Sequence, residues 1–511
     1  MHLTNDRNTQ PSALVTSEDR DTCPQSPDSV SQDDPQTEPL LNGYNHDECS
    51  IAMDPSLLQS PHHDRKRPSR SWRETIHDRS LQALSFCLTI PVLTVFTTIA
   101  LFDTAKRRHN LRHEADAWTE ERLQQEHRNP GEQITQDDTY YAQRWGYQCH
   151  THQAITKDGH ILKMYRFGAK NKPMGQGPPV LLCHGLFQAS GAFVLNEESS
   201  MAFVLVDQGY DVWTGNNRAV AGFHHLQYEA DQVEYWDWGL KELGLYDIPA
   251  MLDHIRTTSG HSRVALIGHS QGNAQVFIAL SQQPELADKM SCFIALAPAV
   301  VAGHLTHRFP LRWLIQLDEK PFRILFGRKA FIGIMTVAQK LLPANLMQVL
   351  AYSMFSYLFE WWDHHWIQRR KIKYFQFTPR PVSTRLLLDW MLGWGQKGVC
   401  RFIKNRSTDV DAQEQKLYAQ KTIPLVVVYG TDDYLVDGAA FVRSFEGYDY
   451  HAVTIDDLPL PRYSFSFPTL KLAHVERIPG YEHMDCIWGF DNTETTYPLI
   501  LNTLQEKARW T

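Results

Sequence analysis

Two hydrophobic patterns divide the chain. From about residue 139 onward, short apolar runs at 180–183, 210–213, 264–267, 293–296 and 425–428 alternate with longer amphipathic segments. Near-continuous apolar runs of this length suit strands covered on both faces, and their alternation with helical segments predicts βα units around a mostly parallel sheet. A different pattern comes earlier. Residues 84–102 form a run of 19 without a charge, bounded by Arg70, Arg73 and Arg79 before it and Lys106-Arg107-Arg108 after it. At about 1.5 Å rise per residue, such a helix just crosses a hydrocarbon layer of about 30 Å. Four threonines and Pro91 make the run only moderately apolar, yet it lacks a polar residue at every turn and no neighbouring sequence offers it a core. A membrane anchor over 81–103 is expected. Basic residues balance across it, so charge does not orient it, and Pro91 permits a re-entrant hairpin as well as a single pass.

The flanks of this run lack a core-forming pattern. Residues 1–80, rich in Ser, Asp, Gln and Pro, bury too little apolar surface to offset chain entropy and are expected to be disordered. Residues 104–137 are densely charged, as in His113-Glu114-Ala115-Asp116, and read as a helical stalk or linker. That leaves 138–511 as one large α/β domain. Between the strands at 293–296 and 425–428 lies an insert of roughly 120 residues, 303–422, far longer than an ordinary α/β connection. It is dense in aromatic residues, most of which are expected to be core.

Composition narrows the function. With 511 residues, 42% of them hydrophobic, the chain can bury a sizeable core. A formal charge of −8 gives no basic excess for phosphate backbones, so nucleic acid is not an expected partner. Eight cysteines are spread singly, without the close pairs of a zinc site or the density of a disulfide scaffold, and read as reduced or inert. The first residues lack the charged start and apolar stretch of a secretory signal. The lone sequon Asn405-Arg406-Ser407 does not by itself establish lumenal exposure. No metal or organic cofactor is implied.

The candidate chemistry starts at Gly268-His269-Ser270-Gln271-Gly272, which follows the apolar run at 264–267 and precedes a helical pattern. A serine on a sharp strand-to-helix turn is exposed at the sheet edge, and flanking glycines remove side chains that so tight a turn would make collide. The motif alone is weak, and its context makes it specific. A serine hydroxyl is a poor nucleophile near neutral pH and needs a general base, for which imidazole has the suitable pKa. Chain order in such folds puts the acid and then the histidine after the serine. Gly430-Thr431-Asp432-Asp433-Tyr434-Leu435-Val436-Asp437 follows the run at 425–428, and Gly480-Tyr481-Glu482-His483-Met484-Asp485 follows a later one. Ser270, Asp433 and His483 are therefore the candidate nucleophile, orienting acid and base, with Asp432 and Asp437 as competing carboxylates. An oxyanion intermediate also needs donors, expected from the backbone N–H groups of Gln271, just after the nucleophile, and of Leu186 in the turn His184-Gly185-Leu186.

These residues resemble the acid lipase and steryl ester hydrolase family of the α/β-hydrolase fold, which includes lysosomal and gastric lipases and membrane-anchored steryl ester hydrolases of fungi. The likeness begins near Gly146. It is carried by Thr156-Lys157-Asp158-Gly159-His160, His184-Gly185-Leu186, Gly215-Asn216-Asn217-Arg218, Tyr235-Trp236-Asp237-Trp238 with Glu242, and Tyr246-Asp247-Ile248-Pro249-Ala250. Laid on the family's acidic motif, 430–437 puts the catalytic aspartate at Asp433, and His483-Met484-Asp485 matches its His-hydrophobic-Asp. The polar head and apolar run depart from secreted members and resemble the fungal branch, implying a lipid droplet or endoplasmic reticulum setting, with the plasma membrane as an alternative. The resemblance makes the insert 303–422 a cap over the active site. It implies hydrolysis of steryl esters through an acyl-serine, with triacylglycerol hydrolysis or acyl transfer between lipids as alternatives. A silent, membrane-tethered scaffold is the reading from a different class. The expected partners are an apolar lipid ester and a membrane or lipid-droplet surface, and the oligomeric state is not readable.

Overall fold

Each apolar run expected to be a strand lies in one sheet. The computed structural model describes residues 72–111, 131–307, 309–403, 421–445, 465 and 467–510. An opening hairpin pairs β1 (Tyr147–Ile155) with β2 (Ile161–Ala169) in antiparallel register from Tyr147 opposite Ala169 to Ile155 opposite Ile161. The remaining strands are β3 (Pro179–Cys183), β4 (Asp211–Gly215), β5 (Val264–His269), β6 (Met290–Leu296), β7 (Ile423–Gly430) and β8 (Leu470–Ile478). The sheet order is β1-β2-β4-β3-β5-β6-β7-β8, antiparallel at β1/β2 and β2/β4 and parallel elsewhere. Every residue of β3 through β7 is buried, as strands covered on both faces require. This is an α/β-hydrolase fold.

Helices fill the connections. They include α1 (Trp72–Leu111), α2 (Met201–Asp207), α3 (Ile248–Ser259) and α4 (Gln271–Gln282), which leaves the C-terminal end of β5. Between β6 and β7 the insert supplies α5 (Leu311–Leu314), α6 (Glu319–Phe326), α7 (Ile334–Leu341), α8 (Ala344–Phe359) and α9 (Thr384–Lys397), and after β7 comes α10 (Gly438–Arg443). The helices of the insert lie over the C-terminal strand ends, where open parallel sheets bind ligands.

The apolar run near the N-terminus is packed along one face against the insert. Helix α1 starts at Trp72, inside the stretch assigned to the tail, and ends at Leu111, inside the stretch assigned to the linker. It packs on α6 and α8 of the insert. Asp78 accepts a hydrogen bond from Arg328 at 3.0 Å, and the hydroxyls of Ser85 and Thr89 both donate to the Leu325 carbonyl, at 3.0 and 2.6 Å. Phe96 packs edge-on against Phe309 and Trp313, and Arg107 lies over the Trp362 ring. These pairs join residues more than 200 positions apart, so the neighbourhood in sequence gave no sign of them. The helix is also long and apolar enough to cross a membrane. Residues 1–71, most of the expected linker and the sequon at 405–407 lie outside the described residues.

Candidate active site

The elbow carrying Ser270 is fixed by backbone geometry. Ser270 sits between β5 and α4 at φ 53° and ψ −118°, a conformation that non-glycine residues adopt only where the surroundings impose it. Its N–H donates to the Leu296 carbonyl at 3.0 Å, and the Asn273 amide donates to the same carbonyl at 2.7 Å, so the turn is tied to the end of β6. The flanking glycines are sterically required. A Cβ on Gly268 would stand 2.3 Å from Asn273 Oδ1, and one on Gly272 would stand 2.6 Å from the Cys183 carbonyl oxygen.

The loops after β7 and β8 bring Asp433 and His483 to this serine. His483 Nε2 lies 2.8 Å from Ser270 Oγ, and His483 Nδ1 lies 2.8 Å from Asp433 Oδ2. An ionised carboxylate only accepts, so Nδ1 carries the imidazole proton and the Nε2 lone pair faces the serine hydroxyl. The other oxygen of Asp433 accepts from the N–H groups of Leu435 and Val436, each at 3.1 Å, which fixes the carboxylate plane. The competing carboxylates have other partners: Asp437 caps α10 by accepting from the Ala440 N–H at 2.7 Å, and Asp432 accepts from the Thr431 hydroxyl at 2.8 Å. The side chains of His483 and Asp433 are each only 2% exposed, so the relay is shielded from water.

The turn expected to supply an oxyanion donor abuts Ser270. A Cβ on Gly185 would lie 2.9 Å from Ser270 Cβ and 2.8 Å from Gln188 Oε1. Gly185 N–H donates to Gln188 Oε1 at 2.8 Å, and the amide nitrogen of Gln188 reaches Met484 Sδ at 3.0 Å, linking this turn to the histidine loop. His184 Nδ1–H donates to the Gly185 carbonyl at 2.8 Å while Nε2 accepts from the Asn217 N–H at 3.2 Å, and burial lowers its pKa to about 4, keeping it neutral. Asn217 is itself anchored by its neighbour: Arg218 forks onto Asp247 and Asp158 in four bonds of 2.6 to 3.0 Å. Leu186 and Gln271 both border the cavity that Ser270 faces.

That cavity, about 240 Å³, lies between the sheet and the insert. Phe187, Phe331, Met335, Phe355, Trp361 and Trp390 are among the residues that line it. Trp361 stacks on the His483 ring with centroids 5.8 Å apart and planes 13° from parallel. Trp390 Nε1–H donates to Gln271 Oε1 at 2.8 Å, so the insert holds the residue next to Ser270. Under the histidine, His269 Nε2–H donates to the His483 carbonyl at 2.9 Å, and burial with the adjacent His483 pushes the His269 pKa down to about 3. Asp485, buried below the same loop, accepts from Trp366 Nε1–H at 2.8 Å and from the Glu482 N–H at 2.7 Å.

Sequence reasoning did not single out Gln188, His269, Trp361 or Trp390. His269 stands inside the serine motif and was open to notice there. The tryptophans carry no local signal of the site, because the contacts that bring them to it, Trp390 with Gln271 and Trp361 with His483, span 119 positions or more.

Comparison with known proteins agrees with the geometry. Residues 139–197 match the model of a partial alpha/beta-hydrolase lipase region, and residues 178–328 match that of the alpha/beta hydrolase fold. Sterol esterase 2 of Saccharomyces cerevisiae is 28% identical over 427 residues, covering 74% of this chain and 73% of that protein. Gastric triacylglycerol lipase of Bos taurus is 30% identical over 379 residues, covering 71% of this chain and 90% of the lipase. Human Lipase member K is 33% identical over 378 residues, covering 71% and 89%. A serine on a strand–helix elbow, in a chain so related to lipases and a sterol esterase over most of their lengths, makes this protein a carboxylic ester hydrolase belonging to the acid lipase and steryl ester hydrolase family.

Proposed function

We propose that this enzyme is held at a lipid surface by α1 and hydrolyses steryl esters there, through an acyl intermediate on Ser270. The observation that carries the mechanism is the pair of 2.8 Å contacts running from Ser270 through His483 to Asp433 at the floor of an apolar cavity. Ser270 Oγ attacks the ester carbonyl carbon as His483 Nε2 takes the hydroxyl proton. Asp433 stabilises the imidazolium through Nδ1–H and stays ionised. The oxyanion accepts hydrogen bonds from the Leu186 and Gln271 N–H groups. Collapse breaks the bond to the alcohol oxygen, which leaves with the proton from His483, and the acyl group remains on Ser270. Water then repeats the sequence, delivering its proton to His483 and releasing the fatty acid.

Two observations favour a steryl ester. A curated relative bears the name sterol esterase, and the cavity walls are rings and aliphatic chains suited to a bulky apolar alcohol. The names of the gastric relatives favour triacylglycerol instead, since the same acyl-serine chemistry serves both. Attachment to lipid is supported by the outer surface of α1, where Leu84, Phe86, Leu88, Val95 and Phe102 are exposed. A lipid droplet or the endoplasmic reticulum suits such an anchor.

The test uses the purified full chain in detergent, given cholesteryl, ergosteryl and triacylglycerol oleates in parallel, with Ser270→Ala as control. Release of free sterol and oleate by the wild type, faster than oleate from triacylglycerol and absent in the variant, is expected. Preference for the triacylglycerol would overturn the steryl assignment, and transfer of labelled acyl groups to added sterol instead of water would make the protein a transferase.

A further inference from the structure

Helix α1 is built inside out. Among its described side chains the buried ones, Asp78, Ser85, Thr89, Phe96, Ala100 and Thr104, recur at intervals of four and seven and so form one stripe. Four of those six are polar or charged, and the first three hydrogen-bond to the insert. Its outer face carries exposed leucines, valine and phenylalanines, with Phe102 at 74%. A helix in water buries its apolar stripe and turns polar residues outward; this arrangement is the reverse, and it fits a helix whose outer surroundings are hydrocarbon. Helices α5, α7 and α8 extend the same apolar exterior through Trp313, Val337, Leu341, Leu346 and Val349, with Leu341 76% exposed.

One segment of the inner stripe meets the cavity. Between the polar contacts at Thr89 and the buried Ala100, α1 turns Val92, Leu93, Phe96 and Thr97 into the same space that Ser270 and His483 face. The facing wall is the inner side of α7 and α8, including Met335, Ala338 and Leu350, whose outer sides carry the exposed apolar residues named above. A single layer of helices therefore separates the cavity from the apolar exterior.

From this we infer that α1 is a wall of the ester-binding site as well as an anchor: the hydrocarbon of the bound ester rests on Val92, Leu93 and Phe96, and it reaches Ser270 from the lipid side. The inference rests on the serine hydrolase reading above. Apolar side chains in such a wall set chain preference, because each methylene of contact is worth about tenfold or more in discrimination. Loss of the Phe96 ring is accordingly expected to lower kcat/KM for long-chain esters selectively.

The experiment uses the full chain in detergent micelles and a long-chain alkyl fluorophosphonate bearing a diazirine near the end of the alkyl group. The phosphonate is expected to react with Ser270; illumination then cross-links whatever touches the tail, and peptide mass spectrometry locates the link. A cross-link within residues 90–98 supports the inference, and labelled Ser270 with cross-links confined to the insert overturns it. Absence of labelling on Ser270 would instead overturn the hydrolase reading, so the two failures are distinguishable. Phe96→Ala should lower kcat/KM for a long-chain ester by about tenfold relative to that for a butyrate ester. Equal losses on both esters for Phe96→Ala would contradict a role in contacting the acyl or steryl group.

Discussion

The floor and the roof of the cavity are held by different forces. On the floor, Ser270, His483, Asp433, Gln188 and Gly185 are fixed by directed hydrogen bonds of 2.8 to 3.1 Å. Over them, α1 and the insert meet the space with rings and aliphatic chains, and their side chains are fixed by packing, as in the near-parallel stacking of Phe355 on Trp361. Directed bonds specify one geometry and serve one reaction. Dispersion and burial specify only volume and shape, which is what selection among apolar esters needs. Changes to the floor should thus slow every ester alike, whereas changes to the roof should alter one ester relative to another.

The strongest test of the floor is Asp433→Asn. It preserves the shape but lets His483 adopt the wrong tautomer, and kcat should fall about ten-thousand-fold for short and long esters equally. A loss confined to long esters would break the distinction. Gly185→Ala comes next, since its Cβ would stand 2.9 Å from Ser270 Cβ. Pushing the oxyanion turn away from Ser270 should lower kcat by up to about a hundredfold with KM little changed, measured on a soluble butyrate ester.

Trp390→Phe sharpens the comparison because Trp390 belongs to both parts, lining the roof while donating to Gln271 at 2.8 Å. Losing that single hydrogen bond should cost about tenfold in kcat on all esters. If the side chain acts only as roof, kcat for butyrate will stay at the wild-type value.

The smallest effect concerns pH. Burial, opposed by nearby His365 and by hydrogen bonds, raises Asp485 under the histidine loop from 3.8 to about 6. Burial and the neighbouring Asp485 likewise raise the adjacent Glu482. Between pH 3.8 and about 6 the folded chain holds a proton on Asp485 that the unfolded chain has released, so this group's stabilisation is complete below 3.8 and is lost as pH rises through about 6. Asp363 is buried too, but the Lys371 ammonium pulls it down to about 2, so it acts in the opposite sense and only below its unfolded value of 3.8. Buried His184 and His269, held down at about 4 and 3, act in the opposite direction over the same range, so the Asp485 contribution is read against the wild type: Asp485→Asn should change the slope of melting temperature between pH 5 and 7, the variant gaining on the wild type as pH rises. An unchanged slope would show that the carboxyl is ionised in the folded protein throughout.

The same division governs what could be read from the sequence. The floor is coded locally: glycines beside Ser270, a carboxylate just past a strand and a histidine on the next loop lie in short motifs whose chain order is set by the sheet. Even the choice of Asp433 over Asp437 follows a local cause, since Asp437 stands at the N-cap of α10 and is engaged by Ala440. The roof is coded at long range. Trp390 meets Gln271 across 119 positions, and Ser85 meets Leu325 across 240. Periodicity reports only that such residues have a buried side, and it cannot name what buries it. That is why the apolar run at 84–102 read as lacking a core, although its inner face is packed along the insert.

The central claim, covalent catalysis by Ser270 under an apolar roof, is tested most directly by trapping the intermediate. The purified full chain would be mixed with excess oleoyl ester, quenched in acid within the first turnovers, and digested for mass spectrometry. An oleoyl adduct on Ser270 Oγ that disappears when substrate is exhausted is predicted. Continued release of oleate with Ser270 unmodified at every time point, or from the Ser270→Ala protein at the wild-type rate, would contradict the account.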